Sequence, residues 1–218
     1  MKEIISYGRF HCTELTPHKN RGMEITYIER GVMEWMVEGV PEKVEPGSVY
    51  FTLPWQVHGS LTPKEPDNTI WHVLFHLKED YPTPRSAFEF HKALGFNKTE
   101  ALILSSAFAS SACHCFRATP TMRGLVPSLI RELQSTHELR DAPAQTLLRT
   151  ILIEFKRIIT GEAVDTETHS WSEKRVHQLL TDLSSTCDQK WTLAQMANAC
   201  GLQRTRLNHI VRRLTGGT

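Results

Sequence analysis

Residues 191–216, WTLAQMANACGLQRTRLNHIVRRLTG, read as two short helices joined by a tight turn. Thr192 and Gln195 have the spacing of a capping box, in which the Thr hydroxyl accepts the Gln195 N–H while the Gln side chain reaches back to the Thr192 N–H. A first helix starts there, with Leu193, Met196, Ala197 and Cys200 on one face and Gly201 where the chain must turn with positive φ. A second helix keeps Leu207, Ile210, Val211 and Leu214 at helical spacing and leaves Arg204, Thr205, Arg206, Asn208, His209, Arg212 and Arg213 outside. Ala197 is small enough to let the helices cross closely, and Leu207 and Ile210 fill the angle between them, as in a helix-turn-helix. A helix hairpin inside an ordinary core has no use for an outer face so rich in donors suited to phosphates and base edges. Double-stranded DNA is the expected partner.

Charge is distributed accordingly. From Trp171 onward seven Lys and Arg stand against three acids, a net +4, which leaves −3 for the rest of a chain whose total is +1. A basic C-terminal piece on a mildly acidic body is expected when one end meets nucleic acid. The most apolar stretch, Ala101 to Phe116, is broken by serines and His114 and is too short to span a bilayer; no charged-then-apolar segment opens the chain. No membrane partner is expected, and a cytoplasmic location follows. Five cysteines scattered at 12, 113, 115, 187 and 200 suit a reducing compartment. Cys113-His114-Cys115 is a single C-x-C with no second ligand pair, so packing is the expected role, and no metal or other cofactor is expected.

A length of 218 residues holds one domain of ordinary size and a small second one. From Ile4 to about Leu77, short runs rich in Val, Ile, Trp and Tyr alternate with Gly and Pro punctuation, which predicts several antiparallel strands closing as a small barrel or sandwich. Ile25–Glu29 leads through Arg30-Gly31 into Val32–Val37; Glu38-Gly39 and Pro46-Gly47 turn the chain again, and Val49–Leu53 follows. Ser86–Leu94 fits a short helix, whereas Ala101–Phe116 has no clear period. Two amphipathic helices come next. One carries Leu125, Val126, Leu129, Ile130 and Leu133; the other, entered near Pro143, carries Leu147, Leu148, Ile151, Leu152, Phe155, Ile158 and Ile159 and stops before Gly161. They predict an antiparallel pair whose wide stripe serves both the barrel wall and a partner subunit. Residues 162–172 read as a linker, and Ser172 can cap a helix with Val176, Leu179, Leu180 and Leu183 inward. The expected division is residues 1–161, linker 162–172 and residues 173–218.

The motif His18-Lys19-Asn20-x-x-x-Glu24 with Gly31, then Pro46-Gly47 and Pro54-Trp55-Gln56-Val57-His58, resembles the two-part signature of a cupin barrel, with Asn20 where the first part usually has a second His. Trp71-His72-Val73-Leu74-Phe75-His76 resembles the strand that follows in sugar-sensing cupins. Barrel, helix pair, linker and helix-turn-helix in that order resemble a transcription regulator of the AraC/XylS family over nearly the whole chain. The resemblance implies an α+β fold: an N-terminal antiparallel cupin-like β-barrel, an antiparallel helix pair, and a small all-α helix-turn-helix segment. It implies that Thr205, Asn208 and His209 face base edges while Arg204, Arg206 and Arg212 hold phosphates, with Gln203 where the family often has a Ser cap. That family carries a second helix-turn-helix after the first, and the chain stops two residues beyond Gly216, so a truncated DNA reader is expected.

Three readings of His18, Asn20, Glu24 and His58 stand open. Two histidines and a carboxylate fit a facial metal triad, as in a cupin dioxygenase or isomerase; the same four fit a hydrogen-bonding set for a polar ligand; or they form a satisfied polar cluster. The helix-turn-helix favours a regulator over an enzyme, so no catalytic residue is assigned. The expected effector is a small polar molecule, a monosaccharide, with Trp35 or Trp71 as a stacking wall; a Trp in a barrel wall is otherwise core, and Trp55 is equally ambiguous. A homodimer is expected through the helix pair, with Ile151 and Phe155 toward the partner, since such regulators read repeated half-sites.

Overall fold

A computed structural model describes residues 1–12, 14–61, 68–162, 175–183 and 190–215. Eight strands come from the first 117 residues: β1 (Ile4–Cys12), β2 (Met23–Arg30), β3 (Met33–Val37), β4 (Val40–Val44), β5 (Ser48–Thr52), β6 (His58–Ser60), β7 (Asn68–Phe75) and β8 (Cys115–Arg117). Helix α1 (Lys98–Ala109) precedes β8, and α2 (Pro120–Gln134) and α3 (Asp141–Thr160) follow it. Residues 175–183 form α4, and α5 (Leu193–Ala199) and α6 (Arg204–Thr215) end the described chain. The fold is α+β, and every strand pairing is antiparallel.

The strands make two sheets, ordered β1-β7-β2-β5-β8 and β4-β3-β6, where one closed barrel was expected. The segment before β2 shows why closure is incomplete on one side. Ser60 N–H donates to Leu15 O at 2.8 Å, and His18 and His58 exchange backbone bonds at 2.9 and 3.0 Å, so residues 15–18 run along β6. Pro17 has no N–H, and it interrupts the ladder between those contacts. Gly59 permits the approach, since a Cβ there would stand 2.7 Å from Pro17 Cα and 2.8 Å from Leu15 O.

The helices cover the outer face of the larger sheet. Met23 and Ile25 of β2, Val49 and Phe51 of β5, and Val73 and Phe75 of β7 pack with Phe108 of α1 and with the apolar faces of α2 and α3. Phe51, Phe108 and Phe155 meet edge to face with centroids 5.0–5.6 Å apart, an arrangement that adds to their area burial. A second cluster between the sheets contains Ile28, Met33, Trp35, Val37, Val44, Tyr50 and Ile70. The third lies within α4–α6.

Three expectations change. Ser86–Leu94 is not a helix beyond the single 3-10 turn Lys92–Leu94. The unassigned stretch 101–116 divides into α1 and β8; Asn97 starts α1 through a capping box with Glu100, whose spacing marks the helix better than its apolar pattern does. The stripe on the helix pair is consumed inside the chain: Ile151 and Phe155 are both 0% exposed, covered by the sheet, α1 and α2. They do not face outward, so they give the expected homodimer no surface. Most of the expected linker, residues 163–172, lies outside the described residues, as does Ser172.

Burial of this kind has a direct consequence. Phe155→Ala should lower unfolding free energy by about 3–5 kcal/mol, the loss typical of a large core truncation, and the loss in denaturant melts should not vary with protein concentration. A concentration-dependent loss would place Phe155 at a subunit contact instead.

Candidate functional site

Strand β2 is buried on both faces, and this two-sidedness builds the site. Met23, Ile25 and Tyr27 pack with the helices, while Glu24, Thr26 and Ile28 point between the sheets. Glu24 is only 3% exposed. Its carboxylate is reached by Asn20 Nδ2 at 2.7 Å, His72 Nδ1 at 2.8 Å, Thr26 Oγ1 and His58 Nε2 at 3.1 Å, and Thr52 Oγ1 at 3.4 Å. Burial alone pushes a carboxyl pKa up; here the hydrogen bonds and charge of His58 and His72 outweigh it and hold Glu24 far below the ordinary carboxylate range.

Proton positions follow from the neighbours. His58 Nδ1 lies 2.9 Å from Gln56 O, a carbonyl that can only accept, so Nδ1 carries the hydrogen. In the neutral ring Nε2 is then an acceptor, filled by Asn20 Nδ2 at 3.2 Å, and it donates to Glu24 only when the ring is protonated. His18 Nδ1 is 2.8 Å from Thr16 O, and its ring rests tilted on His58 with centroids 4.6 Å apart. His72 Nδ1 donates to Glu24 Oε1. When neutral, the His18 and His72 rings would each keep an Nε2 lone pair, and Asn20 keeps Oδ1, none of them partnered among the described residues.

Those groups line a cavity of about 380 Å³. Its apolar wall is Phe10, Leu15, Met33, Trp35, Tyr50, Ile70 and Leu74; Ser6, His11, Glu14, His18, Asn20, Glu24 and His72 supply the polar side. His58 is 0% exposed and lies beneath the cavity, supporting Glu24 and Asn20. Of the expected site residues, His18, Asn20, Glu24 and Trp35 line the cavity. Trp35 is fully buried against Tyr50 and His58, so the accessible ring is Phe10, 43% exposed at the rim beside His72. Trp71 is on the opposite face of β7, where its Nε1 donates to Glu29 at 3.1 Å and Arg9 and Arg131 approach its ring. Trp55 packs on Phe88. Sequence reasoning missed His72 and Phe10; alternation along β7 puts His72 opposite Trp71 in facing, but which of the two faces the site depends on the strand register.

A metal triad does not fit this geometry. The Asn20 amino group stands against both Glu24 Oε2 and His58 Nε2, the two atoms a cation would have to share, and among the described residues no three His, Cys, Asp or Glu are placed to hold a metal ion. At the Cys113–Cys115 run, burial pushes the thiols up to about 11 and about 12 and the His114 imidazole down to about 4. These are protonated thiols and a neutral ring, as packing requires.

The second candidate surface lies on α6. Thr192 and Gln195 form the capping box that starts α5, and Ala197, Cys200, Leu207 and Ile210 close on Val176 and Leu179 of α4. Leu193 departs from the expected inner face and is exposed. Arg204, Thr205, Asn208 and Arg212 are exposed and Arg206 is half-buried; His209 lies on α6 with its side chain outside the described residues. The helix carries no acid. Thr205 and Arg206 also line a cleft shared with α1 and α3. No helix among the described residues is long and apolar enough to cross a membrane.

No family model and no curated protein matches this chain. Among solved structures, it is similar to the AraC-like transcriptional activator CuxR, at 14% identity and a TM-score of 0.40 over 89% of this chain and 66% of that one. It is similar to ToxT from Vibrio cholerae O395 at 9% identity and a TM-score of 0.40, over 97% and 75%. A predicted oxalate decarboxylase from Thermotoga maritima is similar over 35% of this chain and 70% of that one, at 22% identity and a TM-score of 0.32.

Replacing Glu24 by Gln turns one accepting oxygen into an amino group facing other donors. The expected loss at neutral pH is about 1–3 kcal/mol, the cost of leaving buried polar groups unmatched. Because Glu24 is depressed in the fold, its contribution is complete above the unperturbed carboxylate value of about 4.3 and is lost as pH falls below it. Urea melts at neutral and acid pH should show a shallower acid decline in the variant than in the parent; parallel declines would remove Glu24 from this role.

Proposed function

We propose that the chain is a ligand-responsive, DNA-binding transcription regulator: the cavity over Glu24 takes a small polar effector, and α5–α6 form the helix-turn-helix that meets double-stranded DNA. The observation that carries the DNA half is α6 itself, an acid-free helix locked to a capped partner at Ala197, Leu207 and Ile210, with Arg204, Asn208 and Arg212 left exposed. Arginines at that surface suit phosphates, and Asn208 suits a base edge. The proposal assigns Thr205, Asn208 and His209 to bases and Arg204, Arg206 and Arg212 to the backbone, as the family resemblance implies.

The effector's chemistry follows from the tautomers. In neutral rings His18 Nε2 and His72 Nε2 accept, as does Asn20 Oδ1, and the carboxylate beneath them repels anions. A ligand that donates several hydrogen bonds and carries no negative charge fits, and a monosaccharide does both. Its carbon face has Phe10 and Leu15 to lie on, with Trp35 as the buried backing. An enzymatic, metal-dependent reading has no supporting observation, because the Asn20 amino group fills the position the metal would need.

Two measurements check these halves separately. In a thermal-shift or calorimetric screen of monosaccharides and polyols, His18→Phe should weaken the best ligand about three- to tenfold, equal to one hydrogen bond of about 0.5–1.5 kcal/mol, while Trp71→Phe leaves it unchanged; the reverse pattern would move the effector to another place. In duplex titrations, Arg204→Ala and Arg212→Ala should each weaken binding uniformly across sequences and reduce the salt slope by about 0.9 per lost phosphate contact. Asn208→Ala should instead reduce sequence preference, by about 1–3 kcal/mol at one base pair. Duplex binding that ignores all three residues would remove α6 from the interface.

A further inference from the structure

Glu24 is a buried charge with no permanent cation beside it. Asn20, Thr26, Thr52, His58 and His72 occupy its carboxylate, and no Lys or Arg among the described residues forms an ion pair with it. Buried charges are ordinarily paired. The cavity above has the same imbalance, for Glu14 and Glu24 are in its lining and no Lys or Arg is. The basic side chains nearest in the sequence are placed elsewhere. Arg9 lies on the opposite face of β1, where it holds Glu29 at 2.7 Å beside Trp71. Lys19 and Arg21 flank Asn20 but line a separate cleft with Asp80 and Tyr81.

Two side chains carry this charge toward the cavity. His72 Nδ1 is held on Oε1 of the carboxylate at 2.8 Å and Asn20 Nδ2 on Oε2 at 2.7 Å, which leaves His72 Nε2, in the neutral ring, and Asn20 Oδ1 as acceptors. A carboxylate bonded to one ring nitrogen raises the basicity of the other. A proton on His72 Nε2 would supply the missing positive charge but remove an acceptor; an ammonium that donates to Nε2 brings the same charge to the same place. Phe10 adds a ring at the mouth. A Cβ on Gly8 would stand 2.7 Å from Phe10 Cζ, so the ring leans over the glycine, and it meets His72 edge to face with centroids 6.0 Å apart. An exposed aromatic ring next to a carboxylate suits a cation.

A neutral sugar uses these acceptors and leaves the charge of Glu24 unmatched, and an acidic one is repelled. We propose that the cavity selects a cationic ligand, an amino sugar bound as its ammonium form, whose nitrogen donates to His72 Nε2 and Asn20 Oδ1 with its charge set against Glu24. The inference rests on the reading of this cavity as the effector site. A volume of about 380 Å³ stands near the lower end of ordinary ligand cavities, about 300–1,000 Å³, which suits one sugar ring. Leu15, Ile70 and Leu74 give that ring an apolar wall.

The test is calorimetry on the full chain at neutral pH with matched pairs: glucosamine and glucose, galactosamine and galactose, mannosamine and mannose. At least one amine should bind about tenfold or more tighter than its own hexose, a difference of about 1.4 kcal/mol. Glu24→Gln should bring that ratio close to one. Should this variant fail to fold, Glu14→Gln, at an exposed side chain of the lining, reads the same quantity, and the ratio should fall about twofold or more. A hexose that binds as tightly as its amine in every pair would overturn the selectivity and leave the cavity as a site for neutral sugars. A ratio that survives both substitutions would remove the carboxylates from the selection and overturn the inference. If neither amines nor hexoses bind, or if binding ignores His18→Phe, the effector-site reading fails and this inference with it.

Discussion

The buried charge of Glu24 is the constraint on which the two-sheet half of the chain depends. A carboxylate taken out of water is tolerated only when polar partners replace its hydration, and four donors here come from separate places, Asn20 before β2, Thr26 on β2 itself, Thr52 on β5 and His72 on β7, with His58 on β6 adding a fifth when its ring is protonated. His58 belongs to the smaller sheet and the strand residues among the others to the larger. The network therefore fastens the sheets together at a place where no backbone ladder closes a barrel, and it fixes the rings that floor and line the cavity. The apolar core on the other side of β2 holds the strand from behind, so that one eight-residue segment carries both the packing and the polar chemistry.

Much of this was legible in the sequence where local chemistry decides the outcome. The capping box at Thr192 and Gln195 and the end of α3 at Gly161 depend on neighbours within a few residues, and each took its expected form. Parity across strands is a different matter. Trp71 and His72 are adjacent, point to opposite faces, and exchange roles with a one-residue change of register; only the pairing Thr26↔His72 settles which one reaches Glu24. The sequence makes the stripe of α3 too wide for the strands alone to cover, and nothing local in it says that α1 also packs there. Leu102 and Ile103, exposed on α1, blur its period and hid the helix that does the covering.

Asn20 decides what the polar cluster around Glu24 can do. The resemblance marks the position as one that usually supplies a metal-binding imidazole. An amide there presents a donor to the same carboxylate and the same His58 Nε2, so the charge of Glu24 is balanced by protein hydrogen bonds. The cavity above is left with lone pairs from His18, His72 and the Asn20 carbonyl oxygen. Neutral imidazole and carbonyl lone pairs match a group that brings its own hydrogens.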